Sequence, residues 1–213
     1  MNVILFGPPG AGKGTQAEFI VKKHNYFQLS TGNLLRDEAK LKTPLGIEIE
    51  KLISNGEFVS DKTVNTLLRK SITNLKFRDR IIFDGYPRNI EQANNLELIL
   101  GEFDQTIGHI IFLNVSKDII EKRIMGRMTC DKCYMTLNEF FNKDQIELHP
   151  CGKEFLKKRK DDNFDVIVAR YDTYMKTTKP VLDFYSKDAN FTEIDGAAEI
   201  EQITNKINDV LNV

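Results

Sequence analysis

The stretch Gly7-Pro8-Pro9-Gly10-Ala11-Gly12-Lys13-Gly14-Thr15 decides the fold of this chain. It follows a short apolar run, Asn2 to Phe6, and opens a helical pattern from Lys13 to His24. Glycines let successive backbone N–H groups turn inward, and the helix N-terminus adds the positive end of its dipole. Lys13 can then reach terminal phosphates. The strict phosphate-loop pattern places Ser or Thr directly after the lysine, whereas here Gly14 intervenes before Thr15. Strand, glycine-rich turn and helix in that order read as a nucleoside triphosphate site. A switch GTPase would add a guanine-reading Asn-Lys-x-Asp. The nearest matches, Asn142-Lys143-Asp144-Gln145 and Asn205-Lys206-Ile207-Asn208, both lack the final Asp.

Working outward, continuous apolar runs recur at Tyr26 to Leu29, Arg80 to Asp84, His109 to Val115 and Asn190 to Ile194. Continuous rather than alternating hydrophobicity implies burial on both faces, as in parallel sheets. Helical patterns lie between them: Asp61 to Leu75, Asn89 to Leu100, Lys117 to Arg127, and a long segment from Asp162 to Tyr185 that Pro180 should kink or split. This alternation predicts an α/β fold of the P-loop type, a parallel five-stranded sheet with helices on both faces. Two stretches break the alternation, a helical one from Ser30 to Val59 and one from Thr129 to about Arg159 that holds all three cysteines. Both read as insertions over one edge of the sheet. The expected division is a core of residues 1–29, 60–125 and 161–213, with flaps at 30–59 and 126–160.

The 213 residues can bury a sizeable core, and 30 basic against 31 acidic side chains argue against a mainly electrostatic nucleic-acid or membrane binder. No apolar run reaches the ~18 residues that a membrane span requires. Three cysteines cannot all pair with one another. A first strand that starts at the N-terminal Met, without a basic-then-apolar leader, adds the expectation of no secretion signal and a reducing, cytoplasmic setting.

A second motif, Phe83-Asp84-Gly85-Tyr86-Pro87-Arg88, ends a strand. An Asp at a strand end beside a phosphate loop is placed to hold a magnesium shell, directly or through water. The sharp turn after it projects Arg88 into the crevice at the carboxyl ends of the strands.

Five motifs taken together resemble the adenylate kinases. They are Gly7 to Thr15, Ser30-Thr31-Gly32-Asn33-Leu34-Leu35-Arg36, Asp84 to Arg88 with Gln92, Arg123-Ile124-Met125-Gly126-Arg127, and Arg159-Lys160-Asp161-Asp162. They span nearly the whole chain, and the long insertion is similar to the long-lid bacterial type. The resemblance implies reversible transfer of the γ-phosphoryl group of Mg-ATP to AMP, giving two ADP. It implies that Gly10, Ala11, Gly12, Lys13, Gly14 and Thr15 hold ATP phosphates, with Arg123 and Arg127 from the lid. Thr31, Arg36, the backbone of Glu57, Phe58 and Val59, Gly85, Tyr86, Pro87, Arg88 and Gln92 would hold AMP. Arg159 and Arg170 would clamp the transferring phosphates, oriented by Asp161 and Asp162. The catalytic set implied is Lys13, Arg88, Arg127, Arg159 and Arg170, with Asp84 toward Mg2+. The resemblance also suggests a monomer that binds neither nucleic acid nor membrane.

Residue chemistry agrees. Phosphoryl transfer spreads charge over equatorial oxygens, so catalysis is mostly alignment and charge stabilisation, for which the planar fork of arginine suits. Flaps that exclude water as a competing acceptor have a clear purpose, and lid motion is expected to limit turnover.

Cys130-x2-Cys133 and Cys151 share one insertion with His149 beside the last cysteine. Lids that bind zinc use two Cys-x2-Cys-like pairs, sometimes with Asp. Here His149 and Cys151 would complete the set, or Cys151 with Glu154. The alternative is a lid held by packing alone. Glu139-Phe140-Phe141-Asn142 also replaces the Tyr-His and Asn-Pro-Pro features of such lids. Competing functions are a kinase for UMP, CMP or GMP, or a nucleotide-regulated switch. A zinc module that binds nucleic acid through Lys157-Lys158-Arg159-Lys160 is a further one, although Asp161 and Asp162 follow that run at once.

Overall fold

The computed structural model describes residues 1–55, 57–73, 79–159 and 164–211. Asp161 and Asp162, the start of the segment predicted from Asp162, and the end of the helix predicted to run to Leu75 lie outside them.

Five parallel strands form the central sheet: β1 (Asn2–Phe6), β2 (Phe27–Ser30), β3 (Ile81–Asp84), β4 (Ile107–Asn114) and, by its place near the end of the chain, β8 (Phe191–Asp195). Their order is β2-β3-β1-β4-β8. Each falls within a residue or two of its apolar run, because a strand buried on both faces leaves an unbroken hydrophobic signal. Successive side chains of β1 divide between two cores. Val3 and Leu5 join Ala17 and Ile20 of α1 (Lys13–His24), Ile120 and Ile124 of α6 (Lys117–Met125), and Ile203 and Ile207 of α10 (Ile200–Val210). Ile4 and Phe6 join Leu68 and Ile72 of α4 (Asp61–Thr73), Leu96 and Ile99 of α5 (Ile90–Gly101), and Val181 and Tyr185 of α9 (Lys179–Tyr185).

Both insertions carry secondary structure of their own, the first packed into the core of Ile4 and Phe6 through Leu35, Ala39 and Ile49. Residues 30–59 carry α2 (Thr31–Lys40) and α3 (Pro44–Ser54). Thr43 caps α3 by accepting from the Gly46 N–H at 3.0 Å, and Pro44 supplies the fixed φ favoured at a helix start. The second insertion is a three-stranded antiparallel sheet, β6 (Thr136–Asn138), β5 (Arg127–Cys130) and β7 (Leu156–Lys157) in spatial order, with the short α7 (Lys143–Glu147). Its buried apolar residues are Cys130, Leu137 and Leu156, a small core that needs further support.

Two local expectations shift. Arg127, placed by periodicity at the end of a helix, begins β5 instead, because α6 stops at Met125 and Gly126 packs under Phe140 and Asn138. The long segment does divide. α8 (Phe164–Thr173) passes through a π-helical turn, Tyr174–Thr178, into α9 with Pro180 in its first turn. There the Lys179 N–H donates to Tyr174 O, and this wider turn makes room for the proline ring.

Candidate active site

Register builds the site. Leu5 pairs with Asp84, and Asp84 with Ser30, so the loop after β1, the Asp84 carboxylate and Thr31 come side by side at the carboxyl ends of the strands. The loop approaches its surroundings closely. Gly10 adopts φ +82, and a Cβ there would meet Ile124 Cγ1 at 2.7 Å. The amides at the start of α1 have no intrahelical acceptor and no side-chain cap at Gly12, which leaves them for an anion.

Lys13 Nζ donates to Gly7 O at 2.8 Å and Pro8 O at 3.1 Å, so the loop wraps its ammonium although part of the side chain reaches solvent. Burial lowers its pKa to about 8; Asp84 opposes the shift, and Arg88, Arg127 and Arg170 add to it. Arg88 is lowered to about 10 by burial and by Arg170, with Asp84 opposing and Arg36 adding. These mutual effects place Lys13, Arg36, Arg88, Arg127, Arg170 and Asp84 around one crevice. Arg88 Nε donates to Gly85 O at 2.8 Å, and its guanidinium stacks over Phe58 at 5.1 Å. Thr178 of the π turn donates to Arg88 O at 3.0 Å. Asp84 accepts from Gln28 Nε2 at 2.9 Å. Arg123 Nη1 donates to Gly196 O at 2.8 Å and reaches Ala11 O at 3.5 Å, joining the loop after β8 to the phosphate loop. Arg159 is held within the lid, where its Nε donates to Thr129 Oγ1 at 2.9 Å.

Beside Arg88 a pocket is lined by Thr31, Phe58, Val59, Gly85, Arg88 and Gln92, with Leu35 and Val64 as its apolar wall. Thr31 donates to Gly85 O at 2.9 Å. Gly85 sits at φ +77, and a Cβ there would press on Arg88 and Thr31 at 3.2 Å. Arg36 Nη2 donates to Asn33 Oδ1 at 2.6 Å. Glu57 is exposed and accepts from Asn55, so its side chain stands apart from the pocket. Tyr86 is buried as a post between helices, donating to Asn65 Oδ1 at 2.7 Å, and the Tyr86–Pro87 bond is cis. Sequence reasoning missed the groups behind this wall. Asp61 was read only as a helix start, yet its carboxylate accepts from both Gln92 and Asn89.

In the lid, Cys130, Cys133, His149 and Cys151 bring one ligand atom each within 4.8 Å of the others. Cys133 Sγ lies 3.7 Å from His149 Nε2. A tetrahedral zinc with its usual bond lengths sets sulfur and nitrogen about 3.5 Å apart. His149 Nδ1 is buried with no hydrogen-bond partner among the described residues. Burial opposes ionisation of the Cys130 thiol, but the Cys133 N–H and His149 outweigh it and lower its pKa, which favours the thiolate that a metal takes. This donor set could hold a zinc ion; His149 stands in the cluster, whereas Glu154 is exposed and folds back on Gly152. Tyr134, next to the knuckle, takes φ +61, unusual for a bulky residue. Its hydroxyl donates to Asp37 on the other flap, and Lys40 Nζ donates to it at 3.2 Å.

Among the described residues no helix is long and apolar enough to cross a membrane. A family model described as adenylate kinase matches residues 5–190. The chain is 79% identical to the adenylate kinase of Pelagibacter ubique (strain HTCC1062), with both chains covered in full. It is 38% identical to that of Novosphingobium aromaticivorans, with 99% of each covered. With the adenylate kinase of Pyrococcus abyssi (strain GE5 / Orsay) the identity is 35%, over 100% of this chain and 96% of that one.

Proposed function

The chain belongs to the adenylate kinase family and transfers the γ-phosphoryl group of Mg-ATP reversibly to AMP, giving two ADP; from that premise we propose which of its residues do so. The observation that carries the assignment is the gathering of Lys13, Arg88, Arg127 and Arg170 with Asp84 where the strands end.

Gly10 to Thr15 receive the ATP phosphates on the amides of α1, and Lys13 exchanges its loop carbonyls for phosphate oxygens. Arg123 stands on α6 beside the phosphate loop, Arg127 closes from the lid side, and Asp84 would hold the Mg2+ that arrives with ATP. The base of AMP enters between Thr31, Val59 and Gln92, and Arg36 and Arg88 hold its phosphate. An AMP phosphate oxygen then forms a bond to the γ-phosphorus while the bond to the β–γ bridging oxygen breaks, and that oxygen leaves as part of ADP. The attacking oxygen is already anionic, so no general base is needed. Arg88, Arg127, Arg159 and Arg170 stabilise charge on the transferring group and align donor with acceptor.

Cys130, Cys133, His149 and Cys151 would hold zinc, which supplies folding energy to a lid of small core and takes no part in the transfer. The 30–59 and 126–160 flaps fold over the two nucleotides. The enzyme works as a cytoplasmic monomer, without nucleic acid or membrane. A coupled assay with ATP and each nucleoside monophosphate tests the reading: AMP should be the preferred acceptor. Lys13→Ala and Arg88→Ala should each abolish transfer while the circular dichroism spectrum stays native. Wild-type activity in either variant sinks the assignment.

A further inference from the structure

Gln92 is almost fully buried, with 3% of its surface exposed, and its amide stands in a ring of hydrogen bonds whose direction is settled by chemistry. The Gln92 backbone N–H, which can only donate, gives its proton to Asn89 Oδ1 at 2.7 Å, the cap of α5. That leaves Asn89 Nδ2 facing outward, and it donates to Asp61 Oδ2 at 2.8 Å. Asp61 Oδ1 accepts from Gln92 Nε2 at 2.6 Å. At the other end of the amide, Gln92 Oε1 accepts from the Arg88 backbone N–H at 2.8 Å. A carboxylate only accepts and a backbone N–H only donates, so the two ends of the Gln92 amide cannot be exchanged.

We propose that Asp61 is a positioning residue for substrate choice: it locks the Gln92 amide in the one orientation that reads a 6-amino purine and rejects a 6-oxo purine. This rests on the reading of Gln92 as the residue that faces the base of the monophosphate. An amide has two donors and two acceptor positions. Asp61 and the Arg88 N–H use one of each, which leaves one N–H and one lone pair for the pocket. Adenine presents an N6–H donor beside the N1 acceptor, the complement of that pair. Guanine and hypoxanthine present an O6 acceptor beside an N1–H donor, the reverse pattern. To accept them the amide must flip, which sets Oε1 against the Asp61 carboxylate and Nε2 against the Arg88 N–H. Left unflipped, it faces oxygen with oxygen and hydrogen with hydrogen. Either arrangement strands buried polar groups, the kind of mismatch that discriminates strongly. Asp61 thus acts on selectivity without touching the nucleotide.

The test measures kcat/KM for AMP, IMP and GMP as acceptors. IMP carries the 6-oxo pattern without the 2-amino group of GMP, so it reads hydrogen-bond polarity free of added bulk. In Asp61→Asn the new amide keeps its oxygen on Asn89 and turns its N–H toward Gln92, so the unflipped amide now meets a donor there while the flipped one still meets the Arg88 N–H: each orientation carries one clash, and the preference between them is lost. The AMP-to-IMP ratio should then fall about tenfold or more, with most of the change in KM. Asp61→Glu keeps an acceptor-only group and should hold the ratio near that of the wild type. A merely structural loss would lower both substrates together and leave the ratio alone. Should Asp61→Asn not fold, Asp61→Ala removes the acceptor-only group altogether and should lower the ratio in the same direction. Gln92→Ala separates the two layers. If it leaves the ratio unchanged, Gln92 does not face the base and the premise fails. If it collapses the ratio while Asp61→Asn or Asp61→Ala preserves it, the lock is overturned and the premise stands.

Discussion

Lys13 meets two opposed demands, since it must be charged to hold phosphate yet sits where charge is costly. Burial lowers its pKa from 10.5 to about 8, so the nucleotide-free protein begins to lose that proton just above neutrality. Bound phosphates favour the charged form, so ATP binding must take up a proton above pH 8. ATP affinity should therefore weaken by up to about tenfold per pH unit above 8. Titration calorimetry in two buffers of different protonation heat checks this, and an absence of proton uptake at pH 9 refutes it. The sign for folding is the reverse. Between pH 8 and 10.5 the unfolded chain holds a proton that the folded chain has given up, so this group adds stability as pH rises. Lys13, Arg88 and Cys130 were legible in the sequence because their types and spacing carry the chemistry. Asp61 was not: its partners Asn89 and Gln92 lie 28 and 31 residues further on, and nothing local joins them.

At the scale of elements, the central strands were readable because two-sided burial leaves unbroken apolar runs. The lid sheet was not, since β5, β6 and β7 are 4, 3 and 2 residues long, too short to show a period. What replaces apolar area in the lid is the knuckle, where the Lys132 N–H points at Cys130 Sγ at 3.4 Å. Cys151→Ser, or a strong chelator on the wild type, should lower the melting temperature by about 2–4 °C for each kcal/mol of lid support lost. The purified wild type should carry about one equivalent of zinc per chain. Less than a tenth of an equivalent, with melting indifferent to chelator, removes the metal from the account. The Tyr174–Thr178 turn shows the converse case, in which Pro180 announced a break but not that the break would carry Thr178 to the Arg88 carbonyl.

At the scale of the molecule, near-equal totals of acid and base conceal an uneven distribution, with cations drawn to one crevice between two flaps. The flaps also touch each other. Tyr134 keeps a left-handed backbone that glycine would adopt more easily, and its hydroxyl spans 97 positions of sequence to Asp37. No pattern in the chain could have revealed that, because it depends on how both insertions lie over the sheet. Tyr134→Phe removes the hydroxyl alone. It should raise the opening rate severalfold for a loss of about 1 kcal/mol, and raise kcat if opening limits turnover. Relaxation dispersion on the lid beside steady-state rates reads both, and unchanged opening dismisses the contact as incidental. Lifting either flap breaks the same contact, so the second flap then rises with less resistance. A ligand that holds one flap down therefore makes the other easier to hold. Such linkage is reciprocal by thermodynamic necessity: whatever factor AMP adds to ATP affinity, ATP must add to that for AMP, and one hydroxyl sets part of its size.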